Sequence, residues 1–321
     1  MLGVSFVNPS ENFRAVVAVT SLTTAKKKIN AIFIFYPLVF YLFQSIHDPD
    51  TSPLFKFVAL TECYNIFMPK FLKIIRIAWI AFGVLFTLWM ANSFRAQGFD
   101  RSVLESDQKI IIEETSQFIH FQPNENQQPT GLIFFPGGLV SPDAYAPMSR
   151  AISEQGFNVF VVKLPFGSAP LESQETSVQN LALEIMESNP LIRYWAVGGH
   201  SRGAAIASRF ALLHGESFDG LILIGTTHPK EEAFDLSTST LTVTKIYATN
   251  DGLASVDEVK ANSQYLPDDT NWVLIEGGNH SQFGYYGSQL GDNAATINRE
   301  QQQKLTVDTI LFVLKSIQEN K

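Results

Sequence analysis

The chain has 321 residues, a formal net charge of −8 and 45% hydrophobic residues, enough for one large domain with additions. No basic stripe lies outside the N-terminal region, which excludes nucleic acid as an expected partner. The single cysteine, Cys63, excludes an internal disulfide and any cysteine-based metal cluster.

Two apolar stretches open the chain. Residues 29–46 carry no charge and follow Lys26, Lys27 and Lys28; residues 77–94 carry none and lie between Lys70, Lys73 and Arg76 on one side and Arg95 on the other. Each is about as long as a bilayer crossing requires, although Pro37 weakens the first as a helix. Both have their basic cluster on the N-terminal side, so a two-span hairpin would leave one cluster outside, against the positive-inside tendency. From Met68 the order is basic residues, apolar run, polar sequence, which resembles a signal anchor. The expectation is a membrane anchor over 68–100. The preceding extension, 1–67, is either an added membrane segment or absent from the natural product. Lys70, Lys73 and Arg76 outweigh Arg95 and Arg101, the latter offset by Asp100. This bias puts the N-terminal side in the cytoplasm and the following domain outside it.

From residue 101 to 321 the composition is that of a globular domain. Residues 109–114 and 117–121 alternate apolar and polar positions and read as an edge strand pair. Residues 131–135 form a short apolar run, a buried strand. A helix is expected over 143–155, closed by Gly156 as its C-cap. A strand follows at 158–164, a helix at 174–188, a strand at 193–198, a helix at 201–214 and a strand at 220–225. The pattern repeats with a strand at 243–248, a helix at 255–265, a strand at 271–275 and a closing helix at 299–318. Strands alternating with helices predict a mostly parallel sheet covered on both faces.

The stretch Tyr194-Trp195-Ala196-Val197-Gly198-Gly199-His200-Ser201-Arg202-Gly203-Ala204-Ala205 organises the domain. An apolar strand runs into Gly-x-Ser-x-Gly, and a small-residue helix follows at once. Such a turn presents a serine hydroxyl clear of the sheet and aims a helix N-terminus at it. A serine hydroxyl is a poor nucleophile at neutral pH and needs a base, which in turn needs an orienting carboxylate. Asp251 stands just past the 243–248 strand, at the edge where parallel sheets bind ligands. Its rival, Asp257, falls inside a predicted helix. His280 stands in a glycine-rich loop after the 271–275 strand. His47 and His120 precede the serine, His200 adjoins it, His214 is near a helix end, and His228 has no strand leading to it. An oxyanion needs two N–H donors. Arg202 supplies one; Gly138, with Leu139 as the alternative, supplies the other from the loop after the 131–135 strand.

With these parts in the order Ser, Asp, His, the chain from about residue 109 to its end resembles the α/β-hydrolase superfamily. Phe134-Phe135-Pro136-Gly137-Gly138, Gly199-His200-Ser201-Arg202-Gly203 and Gly277-Gly278-Asn279-His280 carry the resemblance. It looks closest to the small capless branch that includes dienelactone-hydrolase-like proteins. Dienelactone hydrolases proper use cysteine where this chain has Ser201, which points to ordinary ester chemistry. Only 226–242 separates the strand after the serine's helix from the acid-bearing strand, too short for a helical lid. Phe283, Tyr285 and Tyr286 would line an aromatic rim. The resemblance implies a serine hydrolase, most simply a carboxylesterase, with no metal or organic cofactor and a small-molecule or acylated substrate. Peptidase and acyltransferase share the same machinery, and a non-catalytic binding module shares the fold.

Overall fold

The structure is a computed structural model that describes residues 53–319; the apolar stretch at 29–46 and its lysines lie outside the described residues. The first element is a long helix, α1 (Pro53–Ser93). Its part from Phe71 to Ser93 spans 23 residues and contains an 18-residue window with a mean hydropathy of 2.0, none of which is buried. It is, among the described residues, the one helix long and apolar enough to cross a membrane.

The chain parts into two compact units between Val84 and Leu85. The last two turns of α1 therefore group with the sheet, ahead of the boundary expected at residue 100. The cause is a set of backbone bonds: Gly287 N–H to Ser93 O (2.7 Å), Ser141 N–H to Phe94 O (3.0 Å) and Gln97 N–H to Tyr285 O (2.8 Å).

Eight strands form one sheet in the order β1-β2-β4-β3-β5-β6-β7-β8. β1 (Ile110–Glu114) and β2 (Phe118–Pro123) pair antiparallel as the edge expected from their alternation, and β2 also pairs antiparallel with β4 (Asn158–Val162) on its inner side. β3 (Thr130–Phe135), β5 (Tyr194–His200), β6 (Gly220–Ile224), β7 (Thr242–Ala248) and β8 (Asn271–Ile275) run parallel. The inner strands β3, β4 and β6 are buried at every position. Helices cover both faces, so such strands carry continuous apolar runs rather than alternation.

One face packs α2 (Ala146–Ser153) and α6 (Arg299–Glu319), through Met148, Ile152, Ile310, Val313 and Leu314. The other packs α3 (Glu172–Ser188) and α4 (Arg202–His214), through Val178, Ala182, Ile206 and Phe210. Two predicted helices are shorter than expected. The stretch 143–155 begins as a 3-10 turn, Pro142–Tyr145, and becomes α-helical only at Ala146; Pro147 has no N–H to give and is tolerated only in a first turn. The stretch 255–265 stops as an α-helix at α5 (Val256–Ala261) and goes on as a 3-10 turn, Ser263–Tyr265; between them the Asn262 side-chain Nδ2 donates to Thr227 O at 3.0 Å.

The C-terminal ends of β3, β5, β7 and β8 open on one edge of the sheet. Strand order reverses beside β3, since β4 lies on one side of it and β5 on the other. That switch point is where an open α/β sheet forms its binding crevice.

Candidate active site

Ser201 is the residue between β5 and α4, and its backbone is strained, with φ 53° and ψ −114°. Positive φ is costly for a residue with a Cβ and persists only where the surroundings impose it. The flanking glycines supply that imposition. A Cβ on Gly199 would come within 2.4 Å of the Gly203 carbonyl carbon, and one on Gly203 within 2.0 Å of Phe135 O. No side chain fits either place, so the spacing of the two glycines is a steric requirement. Ser201 N–H is tied to Ile224 O at 2.9 Å, and its carbonyl receives Ala205 N–H at 3.1 Å. Its side chain is left half-exposed at the head of α4.

Asp251 and His280 come together from the ends of β7 and β8. His280 Nδ1 donates to Asp251 at 2.9 and 3.1 Å, and the two residues are 1% and 3% exposed. Asp251 also accepts the N–H groups of Leu253 (2.8 Å) and Ala254 (2.7 Å). Because Nδ1 donates, the acceptor of this imidazole is Nε2, which is buried and has no hydrogen-bond partner among the described residues. Asp257, the rival acid, is exposed in the first turn of α5.

The loop after β3 offers three backbone N–H groups, and two of them are committed. Gly137 N–H donates to the Tyr145 hydroxyl at 2.9 Å, and Leu139 N–H donates to Gly167 O at 2.7 Å. The N–H groups of Gly138 and Arg202 have no acceptor among the described residues. Gly138 also lies against the elbow, since a Cβ there would sit 3.3 Å from Arg202 Cβ. The Arg202 side chain turns away from the serine. It bonds Ser168 O (3.0 Å), Ala169 O (2.9 Å) and Glu175 (2.8 Å), and Glu175 also receives Arg209 at 2.8 Å.

Four further residues hold this constellation, and only His200 was weighed in the sequence, as a histidine adjoining the serine. Asp292 accepts from His280 N (3.1 Å), Ser281 N (2.8 Å), Ser281 Oγ (2.7 Å) and Gly252 N (3.2 Å). It thereby ties the loop of the acid to the loop of the base. Gln302, fully buried on α6, clasps the backbone of Asn279 by accepting from its N–H (3.0 Å) and donating to its carbonyl (2.7 Å). Tyr145 meets His200 Nδ1 at 2.8 Å. The His200 ring, wholly buried, lies 4.5 Å from the His280 ring. Burial, reinforced by the neighbouring His280, keeps His200 well below the usual histidine range and therefore neutral.

Three further histidines have neighbours of their own. His120 on β2 bonds Asn158 at 3.0 Å and stacks on Phe160. His214 ends α4 against Phe210. His228, in the loop after β6, is pushed down to about 4 by burial and then by the positive charges of Lys230, Arg209, Lys245 and Arg202.

The aromatic rim expected from Phe283, Tyr285 and Tyr286 does not form as such. Phe283 and Tyr286 are each 1% exposed and belong to the core, where Phe283 packs 5.6 Å from the His200 ring. Tyr285 is half-buried and packs edge-on to Phe99, 5.7 Å away. The short 3-10 turn Ser281–Phe283 after His280 carries these side chains down beneath the base rather than out to its mouth. Among the described residues no cluster of three or more His, Cys, Asp or Glu side chains is placed to hold a metal ion.

No curated protein sequence matches the chain. Among solved structures, the monoglyceride lipase of Saccharomyces cerevisiae is similar with a TM-score of 0.54 at 10% identity, covering 69% of this chain and 99% of that one. A predicted CIB-like hydrolase from Thermoplasma acidophilum is similar with a TM-score of 0.50 at 12% identity, covering 63% and 99%. A dienelactone hydrolase-like promiscuous phosphotriesterase from metagenomic libraries covers 61% and 92%, with a TM-score of 0.47 at 16% identity. At these identities the likeness is one of fold. The model of the alpha/beta hydrolase family matches residues 131–304, which run from β3 into α6 and contain every residue of the constellation described above, and the chain belongs to that family.

Proposed function

We propose that the protein is a membrane-anchored serine hydrolase that cleaves carboxylic esters through an acyl-enzyme. The observation that carries this reading is the buried His280–Asp251 hydrogen bond, which leaves Nε2 as the imidazole's acceptor. A base in this tautomer can take the proton of Ser201 as its oxygen attacks the substrate carbonyl. The serine oxygen–carbon bond forms while the carbonyl π electrons move onto oxygen. The N–H groups of Gly138 and Arg202 hold that oxyanion, and Asp251 stabilises the imidazolium. His280 then gives its proton to the leaving alkoxide as the ester bond breaks. Water repeats the sequence to release the acid and restore Ser201. Neither a metal nor an organic cofactor has a role in these steps.

The anchor is the stretch Phe71–Ser93 of α1, with the hydrolase domain on the extracytoplasmic side according to the flanking charges. Protease added to sealed vesicles of native orientation would digest the domain; protection until the membrane is permeabilised would reverse the topology.

A fluorophosphonate probe tests the chemistry. It should label the wild-type chain at Ser201 and leave Ser201→Ala unlabelled, with ester turnover reduced by several orders of magnitude. A folded wild-type chain that the probe does not label would indicate a non-catalytic binding module instead.

A further inference from the structure

Two loops flank Ser201 on the β3 and β4 side, and neither contains a charged residue: 136–142 reads Pro-Gly-Gly-Leu-Val-Ser-Pro, and 164–171 reads Leu-Pro-Phe-Gly-Ser-Ala-Pro-Leu. Val140 and Leu164 are buried, but three large apolar side chains face outward. Phe166 is 82% exposed, Leu171 59% and Leu139 54%. Leu139 and Phe166 also have positive φ, 65° and 50°, a conformation that bulky residues adopt only under constraint. Two unfavourable features thus coincide at the same residues, strained backbone and apolar surface left in water.

The constraint is visible. Leu139 N–H bonds Gly167 O (2.7 Å), Gly167 N–H bonds Leu164 O (2.9 Å), and the Arg202 guanidinium pins the carbonyls of Ser168 and Ala169 (3.0 and 2.9 Å). The same residue that follows the nucleophile therefore holds the lip rigid. The lip protrudes, which suits insertion into a surface better than reception of one small molecule.

What this surface meets is indicated by the chain that enters the domain. The apolar helix ends at Ser93, and the next residue, Phe94, accepts a hydrogen bond from Ser141, two residues beyond Leu139. Ser93 accepts from Gly287 in the loop that follows His280. The end of a helix apolar enough to lie in lipid is fastened to both loops that bear the site.

We propose that Leu139, Phe166 and Leu171 form an interfacial lip that seats on the lipid bilayer, so that Ser201 acts on acyl esters held in the membrane. This rests on the serine hydrolase reading and gives it a substrate class. Uncharged loops with Phe and Leu at the tip are the composition that buries in the headgroup–acyl boundary.

The test uses the full chain in phosphatidylcholine vesicles, with a water-soluble short-chain ester or a long-chain ester dissolved in the same bilayer. The double variant Phe166→Asn/Leu171→Ser should keep hydrolysis of the soluble ester within about twofold and lose at least tenfold on the bilayer ester; asparagine tolerates the positive φ at position 166. Equal loss on both substrates, or no loss on either, would overturn the lip. A second readout does not depend on catalysis. In vesicles of brominated phosphatidylcholine, Phe166→Trp should show emission quenched beyond that of the wild-type chain, and no excess quenching would overturn the proposal. Failure of the wild-type chain to cleave either ester, with quenching present, would sink the hydrolase reading and leave the lipid contact standing.

Discussion

The Tyr145 hydroxyl and His200 Nδ1 meet at 2.8 Å in a pair with no solvent exposure. The same hydroxyl accepts the N–H of Gly137 at 2.9 Å, so it serves both partners at once. One side chain thus joins the oxyanion loop to the strand that leads into Ser201. Tyr145→Phe would leave a buried N–H and a buried ring nitrogen without partners. An unsatisfied buried group costs about 1–3 kcal/mol. Urea denaturation should show a loss of at least that size, and a variant as stable as wild type would refute the linkage.

The two candidate acids make opposite predictions. Asp251 is buried, accepts from two backbone N–H groups and meets the base; Asp257 points into water from α5. Asp251→Asn preserves shape but presents the wrong partner to Nδ1, which in a serine–histidine–aspartate system costs roughly four orders of magnitude in turnover. Asp257→Asn should stay within about twofold. Steady-state ester hydrolysis by both variants decides it, and a reversal of the order would move the acid off β7.

Asp292 is a positioning residue, since it faces backbone donors from both the acid loop and the base loop. Each of its two oxygens accepts at least two donors, so an amide cannot replace it without turning an NH2 group on an N–H. Asp292→Asn should therefore lower kcat by about tenfold or more while KM changes little, the pattern of misplaced groups rather than lost substrate binding. If kcat stayed at the wild-type level, the carboxylate would be serving only loop stability.

Much of this site is legible in the sequence because its members follow strands. Ser201, Asp251 and His280 each stand within a few residues of an apolar run, and the run's end fixes the sheet edge at which they emerge. Gly199 and Gly203 announce a contact of backbone on backbone. Asp292, Tyr145 and Gln302 leave no such mark. Each acts on a segment far from it in the chain, Asp292 on Gly252 across 40 residues and Tyr145 on His200 across 55, and no local period encodes a partner at that separation. Phe283 and Tyr286 were legible as aromatics near the base, but the direction of a short 3-10 turn decides whether such rings face solvent or core, and composition is silent on that direction.

Lys245 supplies a pH dependence that can be measured apart from activity. It lies on β7, is 1% exposed, and donates to His228 O. Burial lowers it from 10.5 to about 7. Between those values the unfolded chain binds a proton that the folded chain does not, so stability rises with pH across the window. The benefit is complete above 10.5, fades as pH falls, and is gone below about 7. His228 acts with the same sign lower down, between 6.5 and about 4. A shift of this size corresponds to roughly 4–5 kcal/mol withheld near neutral pH. Lys245→Met conserves volume, removes that penalty, and leaves the His228 carbonyl without its donor at a cost of about 1–3 kcal/mol. The variant should therefore be more stable than wild type at pH 7 and lose this advantage toward pH 10. Urea melts at pH 7, 8.5 and 10 would read both slopes; parallel curves for the two chains would mean that Lys245 is not the group whose charge the fold resists.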